Sequence, residues 1–526
     1  MVTSDRIDSS SGATPRVHKK QTFIGETMSG SNSMPRRRFL QAGAALLYAG
    51  SFPGVLNAAP ALHSPKNLRA LRNSLHGRLI MPGEMGYAMA AAPNNARYAD
   101  VLPLAVAMCA DAHDVQLCLR WAADHREKFA IRSGGHNYAG FSTTRGLLID
   151  VKAMNKVWFD VDKNRGYIQA GASNQNMADA FSGSSFAIPS GRCPTVGASG
   201  LVLGGGWGFA ATHAGLTCDS LVQTDVVLAN GRQVSADANG DFSDLFWALR
   251  GGGGGNFGIN TGFSFALHEV KDDVTIFNIV WPGEKQIELL STLQEIQNNH
   301  ARQMSTRTKA YPDAPGPRPQ RHQLQVTTLG QFFGPLDQAL EALAPALKLV
   351  KPIKRDIRQM SYWQARDYLI TDDPNGMYDL RSSYVAETLP PEALETMLQW
   401  MMKWPGGSLL PENMGILFAI GGKVRDVAAD ATAYVHRNAN YIFEMESAWA
   451  PIDHPDVVRR QQAWLTEYFA AMQPFMLQQS YVNFPSRDLP NWQQAYYGKN
   501  LARLMQVKKK YDSGNLFAFQ QSIPSA

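Results

Sequence analysis

Apolar positions recur at helical spacing over residues 67–75 and again over 114–125, where Val115, Cys118, Leu119 and Ala122 share one face behind an acidic start. The pattern then shortens. Phe129-Ala130-Ile131 and residues 146–151 are predicted as strands, and the loop between them opens with Arg132-Ser133-Gly134-Gly135-His136. After Val270 glycine thins, and stretches such as Gln323-Leu324-Gln325-Val326-Thr327 alternate as strands of a half-exposed sheet. Helix-like runs at 284–298, 336–349 and 391–403 lie between these strands, and the Pro-rich stretch 311–320 is predicted to be a surface loop. No repeat of 20 to 50 residues interrupts this order. The change of texture predicts two domains, the second mixing strands with helices.

Composition narrows the picture. The chain of 526 residues is 44% hydrophobic, enough for well-buried cores, so a wholly disordered or coiled-coil protein is excluded. Its 45 glycines cluster in runs, which ties them to specific backbone sites. Of the 50 Lys/Arg and 45 Asp/Glu, seven and three fall within residues 1–61, leaving 43 against 42. The basic balance is thus largely a property of the leading segment, and a nucleic-acid-binding surface is not expected. Four cysteines form no disulfide framework, and neither C-x-x-C nor H-E-x-x-H spacing occurs, so no metal is expected.

Residues 1–33 are polar and lack hydrophobic periodicity, which predicts disorder or an extension upstream of the true start. From Met34, Pro35-Arg36-Arg37-Arg38-Phe39-Leu40 opens an apolar stretch ending in Ala59-Pro60-Ala61, the layout of a twin-arginine export signal over 34–61. The alternative is a membrane anchor. Gly43, Gly50, Pro53 and Gly54 interrupt the stretch, which falls below the ~18 apolar residues that span a bilayer. A periplasmic or secreted protein is expected, folded around its cofactor before export.

Two loops carry the chemistry. In Arg132 to Gly140, small residues let the backbone approach a bulky anion, with N–H groups lining a pyrophosphate and Arg132 adding charge. An unassigned histidine is most often structural, yet His136 directly follows this Ser-Gly-Gly turn. Cys193 opens the second loop, Gly191-Arg192-Cys193-Pro194-Thr195-Val196-Gly197-Ala198-Ser199-Gly200, which continues to Gly204-Gly205-Gly206-Trp207-Gly208. Glycine at this density is explained by close approach to a large flat ligand. A lone cysteine is usually a small buried hydrophobe, whereas one at the mouth of such a loop reads as a nucleophile. Gly253-Gly254-Gly255-Asn256-Phe257-Gly258 satisfies G-x-G-x-x-G, but a helical turn precedes it and an alternating strand follows, the reverse of a Rossmann context. A tight turn feeding a strand accounts for part of it. Gly197-Ala198-Ser199-Gly200 breaks the G-x-S-x-G spacing of a hydrolase.

Together with Asp244-Leu245-Phe246-Trp247-Ala248-Leu249-Arg250-Gly251-Gly252, Tyr496-Tyr497-Gly498-Lys499-Asn500-Leu501 and Gln521-Ser522-Ile523-Pro524, these motifs make the chain resemble the berberine-bridge-enzyme-like flavoproteins of the vanillyl-alcohol-oxidase class, over nearly all of residues 68–524. The resemblance implies an α+β fold of two domains. An FAD-binding domain is made from 62–270 and 477–526, and a substrate domain from 271–476, with a mixed or antiparallel sheet covered by helices. It implies FAD held bicovalently, His136 to the 8α-methyl and Cys193 to C6 of the isoalloxazine. The cofactor site would comprise Arg132, Ser133, Gly134, Gly135, His136, Asn137, Tyr138, Gly140, Cys193, Thr195, Val196, Gly197, Gly200, Gly205, Gly206, Gly208, Tyr497 and Asn500.

The implied reaction moves hydride from an alcohol, lactol or amine carbon to the flavin, with O2 as acceptor; a dehydrogenase of the same fold would use another acceptor. A sugar, alkaloid or polyketide is the expected substrate. A non-catalytic carbohydrate-binding protein would need neither His136 nor Cys193. Many family members place a tyrosine where this chain has Phe484, so the base must lie elsewhere. Alternation in Tyr441-Ile442-Phe443-Glu444-Met445-Glu446 puts Glu444 and Glu446 on one face, where Glu444 matches the base of alkaloid-oxidising members. The alternative is a solvated sheet face. Tyr481 and Tyr138 are the other candidates, unless they merely line the pocket.

Overall fold

The first long helix starts where Asp111 accepts a hydrogen bond from the Asp114 N–H at 3.1 Å, and it ends where Arg126 turns left-handed, giving Ala112–His125. Its apolar face, with Val115, Cys118, Leu119 and Ala122, is buried as the spacing predicts. The structure, a computed structural model, describes residues 65–270, 274–370 and 376–526. The expected leading segment 1–33 and export signal 34–61 lie outside the described residues. No helix among those described is long and apolar enough to cross a membrane.

Strands between residues 78 and 269 build three sheets. The first has the order Arg78–Ile80, Ala105–Met108, Leu147–Asp150, Phe129–Arg132, its last three strands parallel. Short apolar runs buried on both faces suit such strands. The second sheet is antiparallel, in the order Val157–Asp160, Arg165–Gln169, Ile259–Ala266, Leu221–Val227, Gln233–Asp237. Phe186–Ala187 pairs with His268–Glu269 in the third. The Ser-Gly-Gly-His loop leaves the carboxyl end of Phe129–Arg132, the end of a parallel sheet where ligands collect.

A seven-stranded antiparallel sheet is drawn entirely from residues 274–449, in the order Lys354–Met360, Val274–Trp281, Leu324–Phe332, Met304–Pro312, Gly415–Ala419, Tyr441–Trp449, Met377–Val385. Helices Gln286–Asn299, Leu336–Leu349, Pro391–Met402 and Pro455–Met472 pack against it, sharing a core with Phe443, Met445 and Leu417. Alternation puts Ile416, Phe418 and Ile442 on the opposite face, in a core they share with the other sheets.

The chain then returns. Helix Leu501–Tyr511 packs on Ser243–Ala248, where the Tyr511 hydroxyl donates to Asp244 at 2.6 Å. Lys508 is fully buried, and its ammonium donates to Asp512 (2.7 Å), the Phe517 carbonyl (2.7 Å) and the Asn256 carbonyl (2.8 Å). Three acceptors satisfy its three protons. Removing either charge alone would strand the other without compensation, so this pair fastens the last residues to the glycine run at 251–258. That run lies between helix Ser243–Ala248 and strand Ile259–Ala266, which excludes the Rossmann reading.

Candidate active site

Gly134 and Gly197 let the two chemical loops touch. A Cβ on Gly134 would strike the Gly197 N–H and the Thr195 carbonyl, and one on Gly197 would strike Ser133 and Gly134. Neither position has room for a side chain. The contact brings His136 and Cys193 to the wall of one cleft, partly open to solvent. His136 Nε2 lies 2.8 Å from the Thr195 hydroxyl, 59 residues away in sequence. Asn174 steadies the other loop: its amide donates to the Cys193 carbonyl at 2.8 Å and accepts from the Gly191 N–H at 3.3 Å, straddling Arg192. Cys193 is buried, and no disulfide joins the described cysteines.

Of the expected cofactor residues, Ser133, Gly134, Gly135, His136, Asn137, Tyr138, Cys193, Val196, Gly197, Gly200 and Tyr497 line this cleft. Thr195 stands behind the lining and touches His136. Arg132 does not supply charge here. Its guanidinium is buried, donating to the carbonyls of Ala90 (2.8 Å), Ala91 (3.0 Å), Ala92 (3.2 Å) and Ser142 (2.9 Å). The carbonyls at the end of helix Tyr87–Ala91 capture it, as open helix ends do with cations.

The outer glycines Gly140, Gly205, Gly206 and Gly208 stand outside the cleft lining, each packed closely on another part of the chain. Gly140 packs on the Tyr98 ring, Gly205 on Tyr434, Gly206 on Thr217 and Gly208 on the Ser190 carbonyl. Asn500 donates to the carbonyls of Ala429 (2.8 Å) and Thr432 (3.1 Å), away from the cleft wall. Conversely, Gly253, Gly254, Gly255, Asn256 and Asn260 line the cleft. The glycine run had flagged the first three as a turn only; nothing in the sequence marked Asn174 or Asn260.

The candidate bases sit differently. The Tyr481 phenol oxygen accepts from the N–H groups of Gly206 (3.0 Å) and Trp207 (3.2 Å) and from the Asn483 amide (3.2 Å). Burial pushes it up to about 12 against the pull of these donors. Its ring lines the cleft while its hydroxyl pins the Gly-Gly-Trp turn. Tyr138 lines the cleft too, stacked 5.5 Å from Phe484 and edge-on to Tyr378. Glu444 lies on strand Tyr441–Trp449 opposite Ser382 and Ile416, on the face it shares with Ile442. It is 3% exposed, which rules out a solvated sheet face for it. On that face Phe418 packs against Trp207 (4.8 Å) and Phe484 (5.5 Å), both of which line the cleft. Arg192 and Arg307 approach the same Phe418 ring, at 5.9 and 5.6 Å.

These residues suit a dinucleotide: glycines, an imidazole and a thiol at the wall, and in Asn260 a buried amide oxygen with no partner in the protein. Comparison with known proteins agrees. An FAD binding domain model matches residues 103–237, and a model described as berberine and berberine like matches 480–524. The uncharacterized FAD-linked oxidoreductase YgaK of Bacillus subtilis (strain 168) is 30% identical over 463 residues, 86% of this chain and 98% of its own. BBE-like 1 of Physcomitrella patens superposes with a TM-score of 0.78 at 25% identity, covering 87% of this chain and 99% of that one. A xylooligosaccharide oxidase from Myceliophthora thermophila C1, solved with xylobiose, gives 0.75 at 25% identity, covering 88% and 99%. The chain therefore belongs to the berberine-bridge-enzyme-like family of FAD-linked oxidoreductases.

Proposed function

We propose that this enzyme oxidises a small alcohol, lactol or amine with FAD tethered at both His136 and Cys193, and hands the electrons to O2. The observation that carries the reading is the pairing of an imidazole and a thiol on one cleft wall, each steadied by a neighbour: Thr195 on the His136 ring, Asn174 on the Cys193 carbonyl. Bound FAD would supply the two-electron acceptor that no protein side chain provides. Residues 62–270 with 477–526 form the cofactor lobe in this reading, and 271–476 the substrate lobe.

The protein's own part is positioning and proton removal. Glu444 is assigned as the base that takes the O–H or N–H proton while hydride leaves the adjoining carbon. Its support is its place on the sheet face whose Phe418 meets the cleft residues Trp207 and Phe484. Phe484, Tyr138 and Tyr481 form an aromatic cluster that would hold the substrate body and exclude water. The sugar oxidase among the structural relatives supports a carbohydrate lactol as the first substrate to try.

The test is a panel of sugars, alkaloid amines and aromatic or polyketide alcohols added without oxygen. A true substrate bleaches the flavin, and admitting air restores its colour and yields peroxide. Bleaching that air does not reverse would replace O2 by another acceptor; no bleaching by any of these classes would remove the substrate assignment.

Export by the twin-arginine route is part of the proposal and rests on Arg36-Arg37 before Phe39-Leu40 and on the Ala59-Pro60-Ala61 site. Replacing both by lysine keeps the charge but should abolish periplasmic accumulation. Unchanged export of the Arg36→Lys/Arg37→Lys protein would refute that route.

A further inference from the structure

Asn260 is a polar residue on the cleft wall whose orientation its neighbours dictate. The Thr224 hydroxyl donates to the Gly262 carbonyl at 2.8 Å, so only its lone pairs are left to face Asn260. The Asn260 amide nitrogen therefore donates to Thr224, also at 2.8 Å, and the amide cannot be turned round without losing one of the two bonds. Its Oδ1 is left pointing away from Thr224, buried and without a partner. A buried acceptor left unmade is costly, so the oxygen calls for a donor from whatever fills the cleft.

The location narrows that donor. The residue after Asn260 accepts from the Ala170 N–H, and the Ala170 carbonyl in turn accepts from the Ser133 and Ser199 hydroxyls. Asn260 thus belongs with Ser133 and Ser199, which stand three residues before His136 and six residues after Cys193 on their respective loops. Resting on the reading that His136 and Cys193 carry the isoalloxazine and the glycines the pyrophosphate, the wall at Asn260 is where the adenosine half lies. Gly258, Ile259 and Val151 give that wall an apolar, short-chained surface suited to a flat base. We propose that the Asn260 carbonyl accepts a hydrogen bond from the exocyclic amine of adenine, so that this chain reads the base of its cofactor with a side chain.

The experiment uses the full chain carrying His136→Ala and Cys193→Ala, from which the cofactor can be exchanged, and compares FAD with its hypoxanthine analogue by quenching of flavin fluorescence. The analogue replaces the amine by a carbonyl, setting one acceptor against another. FAD should bind roughly tenfold or more tightly than the analogue, and Asn260→Val should erase the preference by weakening FAD alone. Equal affinities in the parent, or an equal loss for both ligands in Asn260→Val, would overturn the contact. A flavin that stays attached to the His136→Ala/Cys193→Ala protein after denaturation would instead overturn the linkage reading, and with it the orientation used here.

Discussion

Protein denatured in acid and freed of small molecules is expected to keep its flavin absorbance on the polypeptide. Each tether has a neighbour in place before any bond forms. The His136 ring is bonded to the Thr195 hydroxyl, and Asn174 holds the backbone on both sides of Arg192, fixing where Cys193 sits. Imidazole and thiolate are both nucleophiles toward an electron-poor ring, and the glycine contact between their loops sets them at one cleft. The single variants His136→Ala and Cys193→Ala should each retain flavin through the remaining bond. The double variant should release all of it. Complete release from the unaltered protein would end the covalent reading, and release by one single variant would reduce two tethers to one.

The second large effect is expected at Glu444. Glu444→Gln preserves shape and hydrogen bonding but removes proton acceptance, so anaerobic flavin reduction should slow by ~10² to 10⁴-fold with cofactor loading unchanged. Tyr481→Phe should act otherwise. Its phenol is committed to the Gly206 and Trp207 N–H groups, so its loss should lower thermal stability more than reduction rate. If Tyr481 were the base, its proton, held up to about 12, would make the rate climb through the whole alkaline range instead of levelling off. Stopped-flow reduction of both variants across pH separates the cases, because it excludes the oxygen step. Near-normal reduction by Glu444→Gln would remove this glutamate from the chemistry.

Local signals carried most of the fold. The 3.6 period announced the helices now seen at Ala112–His125 and Leu336–Leu349, and alternation announced Leu324–Phe332 and Tyr441–Trp449, because each pattern reports which face of one element is apolar. The helical turn before Gly253 and the strand after Gly258 were enough to reject a Rossmann site, since that decision needs only neighbours in the chain.

For the site, the chain alone was enough to single out two residues and the loops that bear them, because a histidine after Ser-Gly-Gly and a cysteine before a glycine run are local facts with local chemistry. What each polar or flexible residue faces was decided only by the tertiary structure. Arg132 stands beside the Ser-Gly-Gly-His loop in sequence, yet its charge goes to carbonyls at Ala90 and Ala92, about forty residues earlier. Gly205 and Gly206 are as glycine-rich in context as Gly134, but they pack on Tyr434 and Thr217 and stand outside the cleft lining to which Gly134 belongs. Glu444 could alternate onto a wet face or a dry one, and the core around Phe418 made it dry. Asn260 carries no motif at all; a hydroxyl from a neighbouring strand turns its carbonyl away and leaves it unsatisfied. Periodicity and motif are properties of adjacent residues, whereas desolvation and hydrogen-bond partners come from segments far away in the chain, and these set what a side chain can do.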